Sequence, residues 1–120
     1  MTIGRDITTR VLEQALQAAT LRQNVLANNI ANIGTPGFKR ARVEFERHLA
    51  QALQKGADPT SVRPMVVVEQ DRSAFPDGNN VDVEAEMVRV AENQIWYSAL
   101  TRTLSDHFAR LRTVIYDGRR

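Results

Sequence analysis

Two long stretches, one near each end of the chain, carry a mainly apolar stripe with a residue at every third or fourth position. In the first stretch this stripe consists of Leu12, Leu16, Ala19, Gln23, Leu26, Ile30 and Ile33. In the second it consists of Val83, Met87, Val90, Gln94, Tyr97, Thr101, Leu104, Phe108, Leu111 and Ile115. Such a heptad-like pattern is typical of helices that pack side by side. The sequence therefore predicts a mainly α fold with two long helices, over residues 5–33 and 82–116.

An antiparallel, coiled-coil-like hairpin is the most economical arrangement of these two helices, because they lie at opposite ends of one short chain. The length of 120 residues favours a single domain over residues 1–120. We expect Asn24 to lie opposite Glu92 and Asn93, and Leu16 to lie opposite Leu100.

Residues that usually cap helices stand at the expected ends. Gly34 suits the left-handed position after the first helix, and residues 35–38 fit a type II turn with Pro36 second and Gly37 third. Asp82 is a candidate N-cap of the second helix, since Glu84 and Glu86 follow in a first turn that favours negative charge.

The central segment, residues 34–80, has no long periodic pattern. Residues 43–56 predict a short helix that ends at Gly56. Residues 65–70 have the composition of a strand but no obvious partner strand, so we do not expect an independent sheet.

Charged residues are scarce in the middle of both predicted helices. Residues 18–33 contain one charged side chain, Arg22, and residues 93–101 contain none. Solvated helix faces normally carry charges, so this gap predicts contact with several protein neighbours. Asn24, Asn28 and Asn32 form a ladder at intervals of four, and buried amides can set the register between helices. A frayed, solvated last helical turn is the open alternative.

The rest of the composition excludes several classes of function. The absence of cysteine rules out disulfides and thiol chemistry, and the net charge of +2 gives little support to a nucleic-acid-binding face. No apolar run is long enough to cross a membrane, and the first residues lack the apolar core of a secretory signal. His48 and His107 lack metal-ligand spacing, and the acidic segment 77–84 fails the spacing of a calcium loop. We therefore expect no enzyme activity, cofactor, metal or membrane insertion.

One short motif favours a different function. Gly34–Gly37, followed by Lys39, Arg40 and Arg42, matches the G-x-x-G loop of RNA-binding KH modules. Four residues are a weak signal, and a KH loop joins short helices within a sheet. A small RNA-binding module stays an alternative, as does a helical-hairpin adaptor of another secretion assembly.

The segment NVLANNIANIGTPGFKRARVEFE, residues 24–46, resembles the N-terminal signature of the bacterial flagellar rod and hook family. Its matching residues are Asn28, Asn29, Ile30, Ala31, Asn32, Thr35, Pro36, Gly37, Phe38 and Lys39. Residues 77–115 are similar to the C-terminal zone of the short proximal members of that family. The matching residues there are Gly78, Asn79, Asn80, Val81, Asp82, Glu86, Met87, Glu92, Asn93, Gln94 and Tyr97.

The resemblance implies a structural subunit of the proximal flagellar rod, exported by the type III apparatus without a cleaved signal and assembled in the periplasm. It implies assembly through the heptad positions Leu12, Leu16, Leu26, Ile30, Ile33, Met87, Val90, Leu104, Phe108, Leu111 and Ile115. The implied partners are further copies, rod proteins of the FlgC, FlgF and FlgG types, the adaptor FliE and the export gate.

Overall fold

The computed structural model describes residues 6–70 and 76–118, and within them the chain is mainly helical. Its elements in chain order are α1 (Ile7–Ala31), β1 (Ala41–Glu44), α2 (Glu46–Gln54), a 3₁₀ turn (Pro59–Ser61), β2 (Met65–Val68) and α3 (Val83–Asp117). The predicted long helices and the short central helix are therefore confirmed, with boundaries shifted by a few residues.

Helix α1 begins two residues later and ends two residues earlier than the predicted range 5–33. The Asp6 carboxylate caps it, accepting hydrogen bonds from the Thr9 backbone N–H at 3.2 Å and the Thr9 hydroxyl at 2.5 Å. The helix stops at Ala31 with Asn32 as its C-cap. The prediction that Gly34 adopts a left-handed conformation is wrong, since positive φ occurs at Gly37, Gly56 and Gly78 instead.

The two long helices run antiparallel, as predicted. His107, near the end of α3, contacts Asp6 at the start of α1 through Nε2 and Oδ2 at 2.8 Å. In the middle, Asn93 donates to the Ala19 carbonyl at 2.9 Å and to Gln23 Oε1 at 3.1 Å. These pairs place Asn93 level with Ala19 and Gln23, within about one helical turn of the expected register.

The face of α3 that packs on α1 differs from the predicted stripe. Glu86, Asn93, Leu100 and His107 face α1 at intervals of seven residues, and the first three are buried. Four residues of the predicted stripe are exposed, namely Met87, Gln94, Tyr97 and Thr101. We call Glu86, Asn93, Leu100 and His107 the seam of α3. Three of them are polar, and each of the three bonds to α1 or to its N-cap, Asp6. A search for apolar periodicity does not detect such polar positions.

The central segment forms a small antiparallel sheet, which corrects the expectation that residues 65–70 have no partner strand. Strand β1 pairs with β2 in the register Ala41↔Val68 to Glu44↔Met65. The sequence did not predict strand β1, because this strand is only four residues long and alternates Ala41 and Val43 with the charged residues Arg42 and Glu44. Gly56 ends α2 with φ of 68°, as predicted, and Ala57 N–H reaches back to the Ala52 carbonyl.

The hydrophobic core is small and the molecule is elongated. The core cluster consists of Ala15, Ala18, Ala19, Phe45 and Leu100. The radius of gyration is 18.5 Å, whereas a compact chain of this length has about 14 Å. The principal extents of 70 × 29 × 17 Å describe a thin plate, which leaves much of each helix exposed.

The Asp6 cap yields a prediction about acid stability. Hydrogen bonds from the Thr9 side chain and from His107 lower the pKa of Asp6 to about 2, below its ordinary value of 3.8. A carboxyl with a depressed pKa contributes stability above its unfolded pKa, and this contribution is lost as the pH falls towards 2. Asp6→Asn keeps a capping oxygen and loses the charge.

We expect Asp6→Asn to lower the melting temperature at pH 6, and the difference from the unsubstituted chain to shrink between pH 4 and pH 2. Asp106→Asn, on the exposed side of α3, is the matched control and should change the melting temperature little. A difference for Asp6→Asn that is constant with pH would contradict the ionised cap.

Candidate functional site: a polar junction and an uncharged groove

Two turns from distant parts of the sequence dock against each other at one end of the hairpin. Gly37 N–H donates to the Asp77 carbonyl at 2.8 Å, Asn80 N–H donates to the Phe38 carbonyl at 3.2 Å, and Lys39 Nζ donates to the Gly78 carbonyl. The turn over residues 35–38 closes with a bond from Phe38 N–H to the Thr35 carbonyl, and Gly37 has φ of 75°. The predicted type II turn is thus confirmed.

Asn79 completes the end of helix α1. Its Nδ2 lies 2.9, 3.0 and 2.8 Å from the carbonyl oxygens of Asn32, Ile33 and Thr35. Its Oδ1 accepts the N–H of Val81 at 2.8 Å. These carbonyls belong to the C-cap and to the turn that follows it, so the buried amide fixes the chain where it leaves α1. The last helical carbonyls already accept the N–H groups of Asn32 and Ile33, so Gly34 is not needed as a left-handed cap.

Two further asparagines bind backbone groups of the sheet that have no strand partner. The Asn29 amide accepts from Ala41 N–H at 2.9 Å and donates to the Ala41 carbonyl at 2.8 Å, as an adjacent strand would. Asn80 bridges the strands by accepting from Arg40 N–H at 2.6 Å and donating to the Glu69 carbonyl at 3.0 Å. Side-chain amides therefore satisfy backbone groups at the outer edge and at the end of the sheet.

A buried carboxylate, that of Glu86, lies at the centre of this region. Its side chain is fully buried and accepts hydrogen bonds from Arg40 Nε, from Asn29 Nδ2 at 3.2 Å and from Arg89 at 3.2 Å. Arg40 also contacts Glu69 at 2.5 Å. We call this set, Asn29, Arg40, Glu69, Asn80 and Glu86, the polar junction.

Electrostatics hold Arg40 and Glu69 of the junction in their charged forms. Burial raises the pKa of Glu69, but the hydrogen bonds and charges of Arg40 and Arg42 outweigh burial and leave that pKa below its ordinary value. Burial likewise acts to lower the pKa of Arg40, and Glu86 and Glu69 more than compensate. Both groups are charged at neutral pH, so the junction depends on all its partners being present.

The junction and the two docked turns together bring the two sequence motifs into contact. The residues involved are Asn29, Asn32, Thr35, Gly37, Phe38 and Lys39 of the N-terminal motif, and Gly78, Asn79, Asn80, Val81 and Glu86 of the C-terminal motif. Other predicted residues lie elsewhere. Asn28 is exposed, and Glu92, Gln94 and Tyr97 lie farther along α3.

Sequence reasoning missed the role of Arg40, and it named Glu86 as a residue of the first turn of α3 and of the C-terminal motif without predicting that this carboxylate is buried. Arg22, the one charge in the uncharged part of α1, pairs with Glu46 at 2.8 Å and donates to the Val43 carbonyl at 3.0 Å. The sequence carried a signal for the role of Arg22, since an isolated charge in an otherwise uncharged stretch of helix needs a partner.

One side of the hairpin carries a shallow groove without charges. The groove has a volume of about 450 Å³ between α1 and α3, and Thr20 and Asn24 of α1 and Gln94, Tyr97 and Ser98 of α3 form its walls. All five wall residues are exposed. We call these five residues the uncharged groove. Asn93 lies at its floor, and the Asn93 Oδ1 atom is buried with no partner in the described part of the chain.

The opposite side of the same helix pair is strongly charged. A groove of about 460 Å³ is lined there by residues that include Arg22, Arg42, Glu46, Arg89 and Glu92. Two of these already pair with each other, since Arg22 contacts Glu46 at 2.8 Å. The two sides of the hairpin are therefore chemically different, and the uncharged side is the one that can pack closely on another protein surface.

The buried pair of the junction yields a second prediction. Arg40→Met leaves Glu86 buried without its main cation, and removal of one partner of a buried pair costs about 3–5 kcal/mol of unfolding free energy. We expect Arg40→Met to leave the chain largely unfolded, and Arg40→Met combined with Glu86→Leu to recover much of the loss.

Urea denaturation followed by circular dichroism measures these differences. Arg42→Met removes an arginine whose side chain is 42% exposed, and it should cause a much smaller loss. A double variant no more stable than Arg40→Met would contradict the assignment of the loss to an uncompensated buried charge.

Within residues 6–70 and 76–118, no helix combines the length and hydropathy that crossing a membrane requires. The same residues contain no cluster of three or more acidic or histidine side chains suited to a metal ion.

Comparison with known proteins agrees with the two motifs. A family model described as flagella basal body rod protein matches residues 10–39. The flagellar basal body rod protein FlgB of Bacillus subtilis (strain 168) is 39% identical over 119 residues, which cover 90% of this chain and 92% of that protein. FlgB of Borrelia hermsii is 35% identical over 83% of this chain and 89% of its own length. FlgB of Escherichia coli (strain K12) is 29% identical over 94% of this chain and 96% of its own length. The chain belongs to the FlgB family of flagellar basal body rod proteins.

Proposed function

We propose that this chain is a non-enzymatic structural subunit of the proximal flagellar rod, and that it assembles by packing the uncharged groove against the helices of neighbouring subunits. The observation that carries the proposal is the exposure of an uncharged, amide- and tyrosine-lined surface on both long helices. A face meant for water normally carries charges, whereas a face buried in an assembly avoids them.

The apolar surface of α3 supports the same assignment. Met87, Val88, Ile95, Trp96 and Tyr97 are between 42% and 72% exposed in the single chain. Apolar side chains in this number on one helix mark a surface that a partner covers. The exposure of Met87 and Tyr97, which the predicted stripe placed against α1, leaves both residues free to contact neighbouring subunits.

The proposed partners are further copies of this chain and rod proteins of the FlgC, FlgF and FlgG types, with the adaptor FliE and the export gate at the base. We further propose export through the flagellar type III apparatus without a cleaved signal, and assembly in the periplasm. The family motif Asn28–Lys39 and the C-terminal motif Gly78–Tyr97 act in this proposal mainly through the polar junction, which sets the hairpin geometry that assembly uses.

The RNA-binding alternative is not supported. Gly37 N–H, which would face a nucleic-acid backbone in a G-x-x-G loop, bonds to the Asp77 carbonyl. The neighbouring cations are also engaged, because Lys39 contacts Gly78, Arg40 is buried against Glu86, and Arg42 pairs with Glu44. The alternative of a hairpin adaptor in another secretion assembly is not supported by the family assignment.

A charge placed in the uncharged groove tests the proposal. Ser98→Glu and Asn24→Glu are exposed substitutions, so each should change the unfolding free energy of the free chain by less than about 0.5 kcal/mol. In an assembly each would bury an unpaired charge at a cost of several kcal/mol, so we expect loss of rods and motility.

The measurement is complementation of a strain that lacks the gene, scored by swimming and by electron microscopy of basal bodies. Gln51→Glu, exposed on α2 outside the groove, is the matched control and should complement fully. Normal rods from both groove variants would contradict assembly through this surface.

The asparagine ladder is tested separately. Asn28 is exposed, Asn32 makes a local bond from Nδ2 to the Asn28 carbonyl at 2.8 Å, and neither residue belongs to the hydrophobic core cluster. If the ladder sets register between subunits, the double variant Asn28→Leu and Asn32→Leu should fold but form few or misassembled rods. Rods of normal number and length would show that register is set elsewhere.

A further inference from the structure

The free edge of strand β2 is unusual among the surfaces of this chain. β2 is the four-residue sequence Met-Val-Val-Val, and Met65, Val66 and Val68 are each about half exposed, at 52, 50 and 51%. Natural proteins normally protect such an edge with charges, a proline or a covering element, because it can pair with another chain. No charged residue lies within this strand.

The hydrogen-bond pattern shows which backbone groups of β2 point outward. Glu69 N–H donates to the Arg40 carbonyl at 2.9 Å, so residues 40 and 69 form a hydrogen-bonded pair in the antiparallel ladder. Since such pairs alternate, Met65 and Val67 also direct their backbone groups towards β1. Val66 and Val68 therefore direct their N–H and C=O groups away from β1, towards solvent.

The other edge of the sheet is already occupied. Asn29 binds both backbone groups of Ala41, and Arg22 donates to the Val43 carbonyl. In the described part of the chain, β2 thus provides the free strand edge, and a second copy that pairs by strand addition must present its own β2.

We propose that two copies of the free chain pair edge to edge through strand β2, in antiparallel register about Val67. This register places Val66 opposite Val68 of the second copy, and each such pair exchanges two backbone hydrogen bonds. It also sets valine against valine on one face of the combined sheet, where the half-exposed side chains cover each other.

Pro64 limits this pairing. In the proposed register Pro64 lies opposite Gln70 of the second copy, and proline has no N–H to continue the ladder. The contact is also two-fold, so each copy uses the same edge and no free edge is left to propagate a fibre. The pairing concerns the chain in solution and is independent of the proposed assembly in the rod.

The absence of cysteine makes a direct test possible. The pairing places Val67 opposite Val67 of the second copy, with the two Cα atoms about 4.5 Å apart. This distance lies within the range that a disulfide bridges. Val67→Cys should form a disulfide-linked dimer on mild oxidation. Met65→Cys is the matched control, because in this register it faces residue 69 of the second copy. Its disulfide should form at least about tenfold more slowly, since the two residues 65 lie farther apart than the ~7 Å that a disulfide spans.

Two further variants separate edge pairing from chance collision. Val66→Pro removes an outward N–H and no bond to β1, and Val68→Lys places a charge on the edge. Each of these substitutions, combined with Val67→Cys, should slow disulfide formation to the rate of Met65→Cys. Circular dichroism should show unchanged helix content. Equal rates for Val67→Cys and Met65→Cys, a monomer that persists on oxidation, or larger aggregates instead of dimers would overturn the proposal.

Discussion

The fold depends on a carboxylate that has lost contact with water. Glu86 is fully buried in the first turn of α3, and an isolated charge there would cost far more than this small core can supply. Arg40 at the start of the sheet, Asn29 near the end of α1 and Arg89 on α3 share its charge and hydrogen bonds. Because Arg40 comes from the sheet and Asn29 from α1, their bonds to Glu86 fix the start of α3 relative to both elements.

This constraint explains how a chain with so little core keeps a defined shape. The aliphatic contacts are few and use small residues such as Ala18 and Ala19, which let the helices approach closely but bury little area. Directional bonds at Glu86, Asn93 and His107 set the register along the seam instead. The apolar and amide side chains that remain outside the seam stay available to other subunits, as a rod protein requires.

The sequence alone was sufficient for the helices, their antiparallel arrangement and the turn at Gly37, because these follow from periodicity, chain length and glycine conformation. It was not sufficient for the seam of α3, since Glu86 and His107 look like solvated residues until their partners on α1 are known. The same holds for β1, whose pairing depends on contacts with β2 and with Asn29 that lie far apart along the chain. The uncharged segments were recognised, but their exposure in the single chain required the structure.

The most direct test of this account compares the accessibility of Ser98 in the free chain and in assembled rods. Ser98→Cys introduces the chain's one thiol, on the wall of the uncharged groove, and Gln51→Cys does the same on the exposed face of α2. We predict that a thiol reagent labels both variants in the free chain, and that in purified basal bodies Ser98→Cys becomes protected relative to Gln51→Cys. Labelling of Ser98→Cys in basal bodies as fast as in the free chain would contradict the claim that neighbouring subunits cover this groove.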